Sequence, residues 1–136
     1  MRIRMKTNWS SKWKRSVQPR KQRKYRHNAP LHVRQKFLAA HLSLELRTIH
    51  KRRSLPLRKG DEVKITRGPL KGTQKAVERV SVKKTKVYLD GVRVKKVNGT
   101  EVLRPFQPSN LMIVKLHGED KARFAMIQRG KQATPK

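Results

Sequence analysis

The chain has 136 residues, of which 37 are Lys or Arg and 8 are Asp or Glu, giving a formal net charge of +29. That length suits one domain plus extensions, and so large a charge makes a compact monomer repel itself unless a polyanion neutralises it. No apolar run approaches the ~18 residues of a membrane span, the basic N-terminus lacks the apolar stretch of a secretory signal, and the absence of cysteine excludes disulfides and thiolate metal sites.

Charge marks the divisions of the chain. Residues 1–60 carry 19 basic residues against one acid, Glu45, whereas residues 61–136 carry 18 against seven. The first stretch, 1–29, reads as a basic extended arm. Trp9, Trp13 and Tyr25 alternate there with Lys12, Lys14, Arg15, Arg20, Lys21, Arg23, Lys24 and Arg26. Too few aliphatic residues are present to form a core, so the arm is expected to order only against a phosphate surface. Its aromatic rings are of the kind that stack on bases or wedge into RNA grooves.

From Pro30 the pattern becomes helical. Proline suits the first position of a helix, and Val33, Phe37 and Ala40 recur on one side with Leu31, Leu38 and Leu42 flanking them. Arg34 falls away from that stripe. Ser43 can cap a second short helix through Leu46 and Ile49, with Glu45 in its first turn and Lys51, Arg52 and Arg53 near its C-terminal end. Residues 30–53 are thus expected to be short helices packed on the following domain, with a basic face outward.

Residues 54–117 read as short strands. Leu55-Pro56-Leu57-Arg58 leads into Gly60-Asp61, after which Val63, Ile65 and Arg67 alternate with Glu62, Lys64 and Thr66. Gly68-Pro69-Leu70-Lys71-Gly72 breaks that strand into a tight turn framed by Arg67 and Lys71. A second strand has Ala76, Val80 and Val82 on one face and Val77 on the other, and ends in the basic turn Lys83-Lys84-Thr85. Val87 and Leu89, then Val92 and Val94, suggest two further strands either side of Asp90-Gly91, with Arg93, Lys95 and Lys96 outside. Asn98-Gly99 signals a hairpin of type I′. Leu111 to Leu116 is an apolar run of strand length. This spacing predicts a small, strongly bent barrel. Residues 118–136 read as a short surface helix, with Ala122, Ala125, Met126 and Arg129 at helical spacing and Gly130 as its stop, and then a fraying tail from Lys131 to Lys136.

The run from Gly60-Asp61 through Arg67-Gly68, Lys71-Gly72 and Val77 resembles a KOW motif, which implies an SH3-like barrel. Gln18 to Lys24, Asn28 to Arg34, Leu42 to Arg47, Leu55 to Arg58, Asn98 to Val102 and Pro108 to Ile113 resemble, in the same order, the universal large-subunit ribosomal protein family numbered twenty-four. The likeness is to its archaeal and eukaryotic form, called twenty-six in eukaryotes, and covers roughly residues 15–128. It implies binding to large-subunit ribosomal RNA early in assembly, a place near the polypeptide exit tunnel, and neighbouring ribosomal proteins as partners. By position it assigns RNA contact to Arg67, Gly68, Lys71 and Gly72 and to the segment Arg20 to Arg26. Lys75 stands where the motif usually has another glycine; were φ positive there, lysine would carry ~1–2 kcal/mol of strain.

The mechanism implied is electrostatic and geometric. Phosphate contacts are expected from the arm, from Arg34, Lys51, Arg52, Arg53 and Arg58, and from the barrel residues Arg67, Lys71, Lys83, Lys84, Arg93, Lys95 and Lys96. No enzyme is expected: the carboxylates are scattered, and Gly68 to Gly72 lacks the length and ending of a nucleotide-binding loop. His27, His32, His41, His50 and His117 follow no metal-ligand spacing, and no cofactor is expected. Two rival binding classes are a KOW transcription factor, which needs a further polymerase-binding domain, and a DNA-compacting protein, which charge alone allows. The chain is expected to work in the cytoplasmic ribosome, with no membrane insertion and no independent homo-oligomer.

Overall fold

A computed structural model describes residues 9–132, with side chains through Arg129. The expectations for Met1 to Asn8 and for Ala133 to Lys136 lie outside the described residues. The elements run α1 (Pro19–Asn28), α2 (Leu31–Arg34), β1 (Ala39–Leu42), α3 (Leu44–His50), β2 (Ser54–Pro56), β3 (Glu62–Ile65), β4 (Gln74–Ser81), β5 (Lys86–Lys95), β6 (Glu101–Phe106), β7 (Leu111–Lys115) and α4 (Lys121–Gln132). Short 3-10 turns precede α1, follow α2 and precede β7.

The mainly β architecture with short helices at either end is the one expected. Among the described residues, seven strands form one sheet in the order β2-β1-β7-β3-β4-β5-β6. Its hydrogen-bonding order leaves β2 and β6 as edges, so a closed barrel is corrected to an open, bent sheet. The bend lies in β4, whose start pairs with β3 (Glu62 with Ala76) and whose end pairs with β5 (Ser81 with Lys86).

One of those strands was hidden in apparently helical sequence. The helical pattern from Pro30 stops at Leu38, and Ala39 to Leu42 becomes β1, parallel to β7 and antiparallel to β2. Backbone propensity is overruled there by tertiary pairing: Ser43 N donates to Ile113 O at 2.9 Å, and Leu57 N to Leu38 O at 3.0 Å. The pairing seals Ala40, Leu42, Leu55 and Leu57 into the same core as Val63, Ile65, Val77, Leu89, Leu111 and Ile113. Each such Leu, Ile or Val contributes ~1.5–3 kcal/mol by leaving water. Ser43 caps α3 as expected, its hydroxyl accepting from Leu46 N at 3.4 Å.

Three further expectations are corrected. Val87 to Val94 is one long strand, bent at Gly91 (φ +69°), because the register against β6 shifts between Tyr88 and Arg93. The Asn98-Gly99 hairpin forms, but only Gly99 takes a positive φ, 84°. Lys96 N donates to Thr100 O at 2.8 Å and Gly99 N to Lys96 O at 2.9 Å, the pattern of a three-residue loop ending in a left-handed glycine rather than type I′. The helix α4 passes through Gly130, and its buried stripe is Arg123 and Ile127 rather than the alanines.

Asp61 explains why α4 is held. Its carboxylate accepts from Arg123 Nη1 at 2.7 Å and Nη2 at 2.9 Å, from Arg58 N at 2.9 Å and from His117 N at 3.0 Å. Arg123 also donates to Pro56 O at 2.8 Å. One buried fork therefore ties β2, β3 and α4 together. Gly60 beside it has φ +87°, and a Cβ there would come within 2.8 Å of the His117 ring.

Candidate nucleic-acid interface

The described part of the arm is compact rather than extended. Ser10 caps a 3-10 turn over Ser11–Arg15, and Pro19 opens α1, whose last turn carries Arg26 and His27, favourable beside the C-terminal end of the helix dipole. No residue of α1 is buried, so what holds it lies at its edges. Trp9 stacks on Tyr25 with ring centroids 5.4 Å apart, its Nε1 donating to Tyr25 O at 3.1 Å, and Phe37 meets Tyr25 edge-on at 5.9 Å. Gln22 Nε2 donates to Lys14 O at 2.8 Å and Ser16 O at 2.6 Å. Lys24 Nζ lies 4.7 Å above the Trp13 ring, and the Arg26 guanidinium 5.8 Å from that of Phe37.

These contacts change the roles expected of several residues. Tyr25 and Trp13 belong to the arm's own packing, which leaves their rings less open to bases than the sequence pattern suggests. Arg34 is a clamp: Nε donates to Ala29 O at 2.8 Å, Nη1 to Lys83 O at 2.6 Å, and Nη2 to His27 O. It fastens the arm to the β4–β5 turn. Arg52 is half-buried and donates to Met126 O at 3.0 Å, and Arg58 pairs with Asp120. Arg34 and Arg52 commit their guanidinium groups to the fold, whereas Arg58 stays exposed beside its acidic partner. Arg93 meets Glu101 at 3.7 Å with both side chains exposed, a pair worth at most ~1 kcal/mol and easily exchanged for a phosphate.

The remaining cations face outward. Lys12, Lys14, Arg15, Arg20, Lys21 and Arg23 of the arm are exposed, as are Lys51, Arg53, Arg67, Lys71, Lys83, Lys84, Lys95 and Lys96. None of their side chains has an ion-pair or hydrogen-bond partner among the described residues. Five of the eight carboxylates, Asp61, Glu62, Glu101, Glu119 and Asp120, are instead engaged in pairs with Arg123, Lys115, Arg93, His117 and Arg58. The fold thus pairs most of its few negative charges and leaves these fourteen positive ones unmatched.

The glycine turn between β3 and β4 has the form read from the sequence. Gly68 (φ +97°) and Gly72 (φ +93°) are both left-handed, a conformation that side-chain-bearing residues reach only at a cost. Ile65 closes the loop, its N donating to Thr73 O at 2.9 Å and its O accepting from Gly72 N at 2.8 Å. Lys75 falls beyond the turn, in β4 opposite Val63, and is not among the positive-φ residues. The strain considered for it is therefore absent.

The geometry separates two groups of cations. Arg67 and Lys71 lie at the start of β4; Lys83, Lys84 and the arm that Arg34 fastens to them lie at its end. Eight residues of strand hold the two groups up to ~25 Å apart before bending is counted. Sequence reading missed Arg79, which lies 4.6 Å from the Tyr88 ring centroid, and Arg104, 5.9 Å from that of Phe106. Strict strand alternation leaves no room for a bulge in β4, and that was the missing signal.

A basic, mainly β domain with a KOW-type turn and a helical basic arm defines a class of RNA-associated proteins, and similarity to known proteins narrows it. Residues 16–130 match the family model of the eukaryotic ribosomal proteins L26 and their archaeal counterparts, and the chain belongs to that family. It is 49% identical over 113 residues to the large ribosomal subunit protein uL24 of Methanocorpusculum labreanum, covering 83% of this chain and 93% of that one. The uL24 proteins of Methanosarcina barkeri (51% over 114 residues, 84% and 98%) and Methanospirillum hungatei (53% over 108 residues, 79% and 90%) are similar to the same extent.

Proposed function

We propose that this chain is a structural, non-enzymatic component of the large ribosomal subunit and that it binds large-subunit ribosomal RNA in the cytoplasm. Membership of the family supports that reading, and so does one observation: the exposed, unpartnered cations gather at both ends of β4 while most carboxylates are paired.

On this reading the parts divide the work along the chain. The arm, 1–29, and the β4–β5 turn grip phosphates at one end of β4. Residues 30–53 brace the arm on the sheet. The domain of residues 54–117 presents Arg67, Gly68, Lys71 and Gly72 at the other end, where glycine lets the RNA backbone approach closely, and 118–136 closes the domain. Lys51, Arg53, Arg58, Arg93, Lys95 and Lys96 extend the contact, while Arg34 and Arg52 position it. Arg supplies forked contacts and Lys point charges. Two rigid grips a fixed distance apart select a folded RNA whose phosphates match that spacing, the shape-based reading usual for structured RNA. Action early in assembly, a place near the exit tunnel, neighbouring ribosomal proteins as the remaining partners and the absence of an independent homo-oligomer belong to the same proposal.

Sedimentation of lysate tests it. The protein is expected to travel with the large subunit in low magnesium and to leave only when high salt strips that subunit. Its recovery with the nucleoid, or free of ribosomes at ordinary salt, overturns the reading.

A further inference from the structure

The register of β4 against β5 contains one extra residue. Val77 pairs with Leu89, but Arg79, not Glu78, pairs with Tyr88, and Val80 pairs with Val87. Glu78 is therefore the inserted residue of a bulge, a device that re-aims side chains beside functional surfaces. Unbroken alternation would oppose Glu78 to Tyr88; the bulge puts an arginine there instead. It also lets Val77 and Val80, three positions apart, both turn inward, so Arg79 is left facing out.

The result is a layered platform on the outer face of β4, β5 and β6. Tyr88 pairs with Arg79 on one side and Pro105 on the other, so the three form a row across the sheet. The Arg79 guanidinium lies over the Tyr88 ring, 4.6 Å from its centroid, and Tyr88 as a residue is 7% exposed. Arg79 has no ion-pair or hydrogen-bond partner among the described residues, although Glu78 adjoins it in sequence. Beside this row stands Lys86, opposite Ser81, and further along β5 stand Arg93 and Lys95. A guanidinium held against a ring on one side presents its other face for stacking and its edge for hydrogen bonding.

We infer that Arg79, laid over Tyr88 by the bulge, is a stacking platform for an unpaired base of the bound RNA. The inference rests on the RNA-binding reading above and adds to it a third contact surface of different chemistry, because it takes a base face where the arm and turns take phosphates. An acidic protein partner would need only the charge; a stacked base needs the planar group.

That difference sets the test, made on the full chain and in-vitro-transcribed large-subunit ribosomal RNA. Arg79→Lys keeps the charge and removes the plane; Arg79→Ala removes both. Each variant changes an exposed side chain, and circular dichroism checks that it is folded. Affinity is expected to fall roughly five- to 150-fold in both variants, the range of a single base stack. A base shielded from dimethyl sulfate by the wild-type protein is expected to become reactive in both, while hydroxyl-radical protection of the backbone elsewhere is unchanged. Full affinity and an unchanged base footprint in Arg79→Lys overturn the platform and leave the phosphate grips standing. Absence of RNA binding by the wild type overturns both readings together.

Discussion

Asp61 and Arg123 lie 62 positions apart in the chain and meet through two hydrogen bonds, of 2.7 and 2.9 Å, with both residues closed off from solvent. In a protein carrying so many exposed cations, this one is turned inward and neutralised. Replacing Arg123 by Met leaves a buried carboxylate with only backbone partners, and is expected to cost ~3–5 kcal/mol. The double variant Asp61→Asn with Arg123→Met should recover part of that loss. Urea midpoints of the three proteins measure it; equal loss in the single and double variants would show that the charge itself is not the issue.

Gly60 and Gly68 separate two reasons for glycine. Both have positive φ, but only at Gly60 would a Cβ collide, at 2.8 Å, with the His117 ring; at Gly68 nothing lies within 4 Å. Gly68→Ala is expected to cost ~1–2 kcal/mol from backbone strain alone. Gly60→Ala should cost more, since the His117 segment that donates to Asp61 must also shift. Thermal unfolding of the two variants side by side gives the order.

Removal of residues 1–26 should weaken RNA binding and flatten its salt dependence, by about 0.7–0.9 in the log–log slope for each phosphate released. Arg34→Met should loosen the arm while sparing the core, because its three bonds join Ala29, His27 and Lys83 rather than buried strands. Limited trypsin digestion is expected to cut this variant faster between Arg20 and Arg26, with the unfolding midpoint nearly unchanged. An unaltered slope in the truncated protein would remove the arm from the phosphate contacts.

His41 makes stability depend on acidity. Burial, and then the positive charges of Arg47 and Arg53, hold its pKa below the ordinary value of 6.5. On acidification the unfolded chain therefore takes up this proton first. The contribution is complete above pH 6.5 and is lost as pH falls through the folded value. His41→Gln should flatten the decline in urea midpoint below that pH; an identical decline in both proteins would assign it to other groups.

Strands with clear punctuation were legible in the sequence. Gly60-Asp61, Gly68 to Gly72 and Asn98-Gly99 each state where the backbone must turn, because glycine marks conformations that other residues avoid. Ala39 to Leu42 carries no such mark: its four residues suit a helix, and only pairing with β2 and the distant β7 makes them a strand. The bulge at Glu78 was invisible for a related reason, since one inserted residue reverses the facing of everything after it. The cations of the interface were readable as charge, but not as to which of them the fold consumes. Arg34 and Arg23 look alike in sequence; carbonyl oxygens brought by three separate residues distinguish them.

The parallel pairing of β1 with β7 also orders events in time. His41 sits opposite Met112 and Leu42 opposite Ile113, so a strand made early waits for one of the last to be synthesised. Until β7 and then Arg123 emerge, the sheet cannot close around its core, and long-range pairing of this kind is slow to form. The arm is complete well before then. During synthesis the cationic arm therefore precedes the residues that complete the domain, and the sheet's two halves join only once nearly the whole chain has been made.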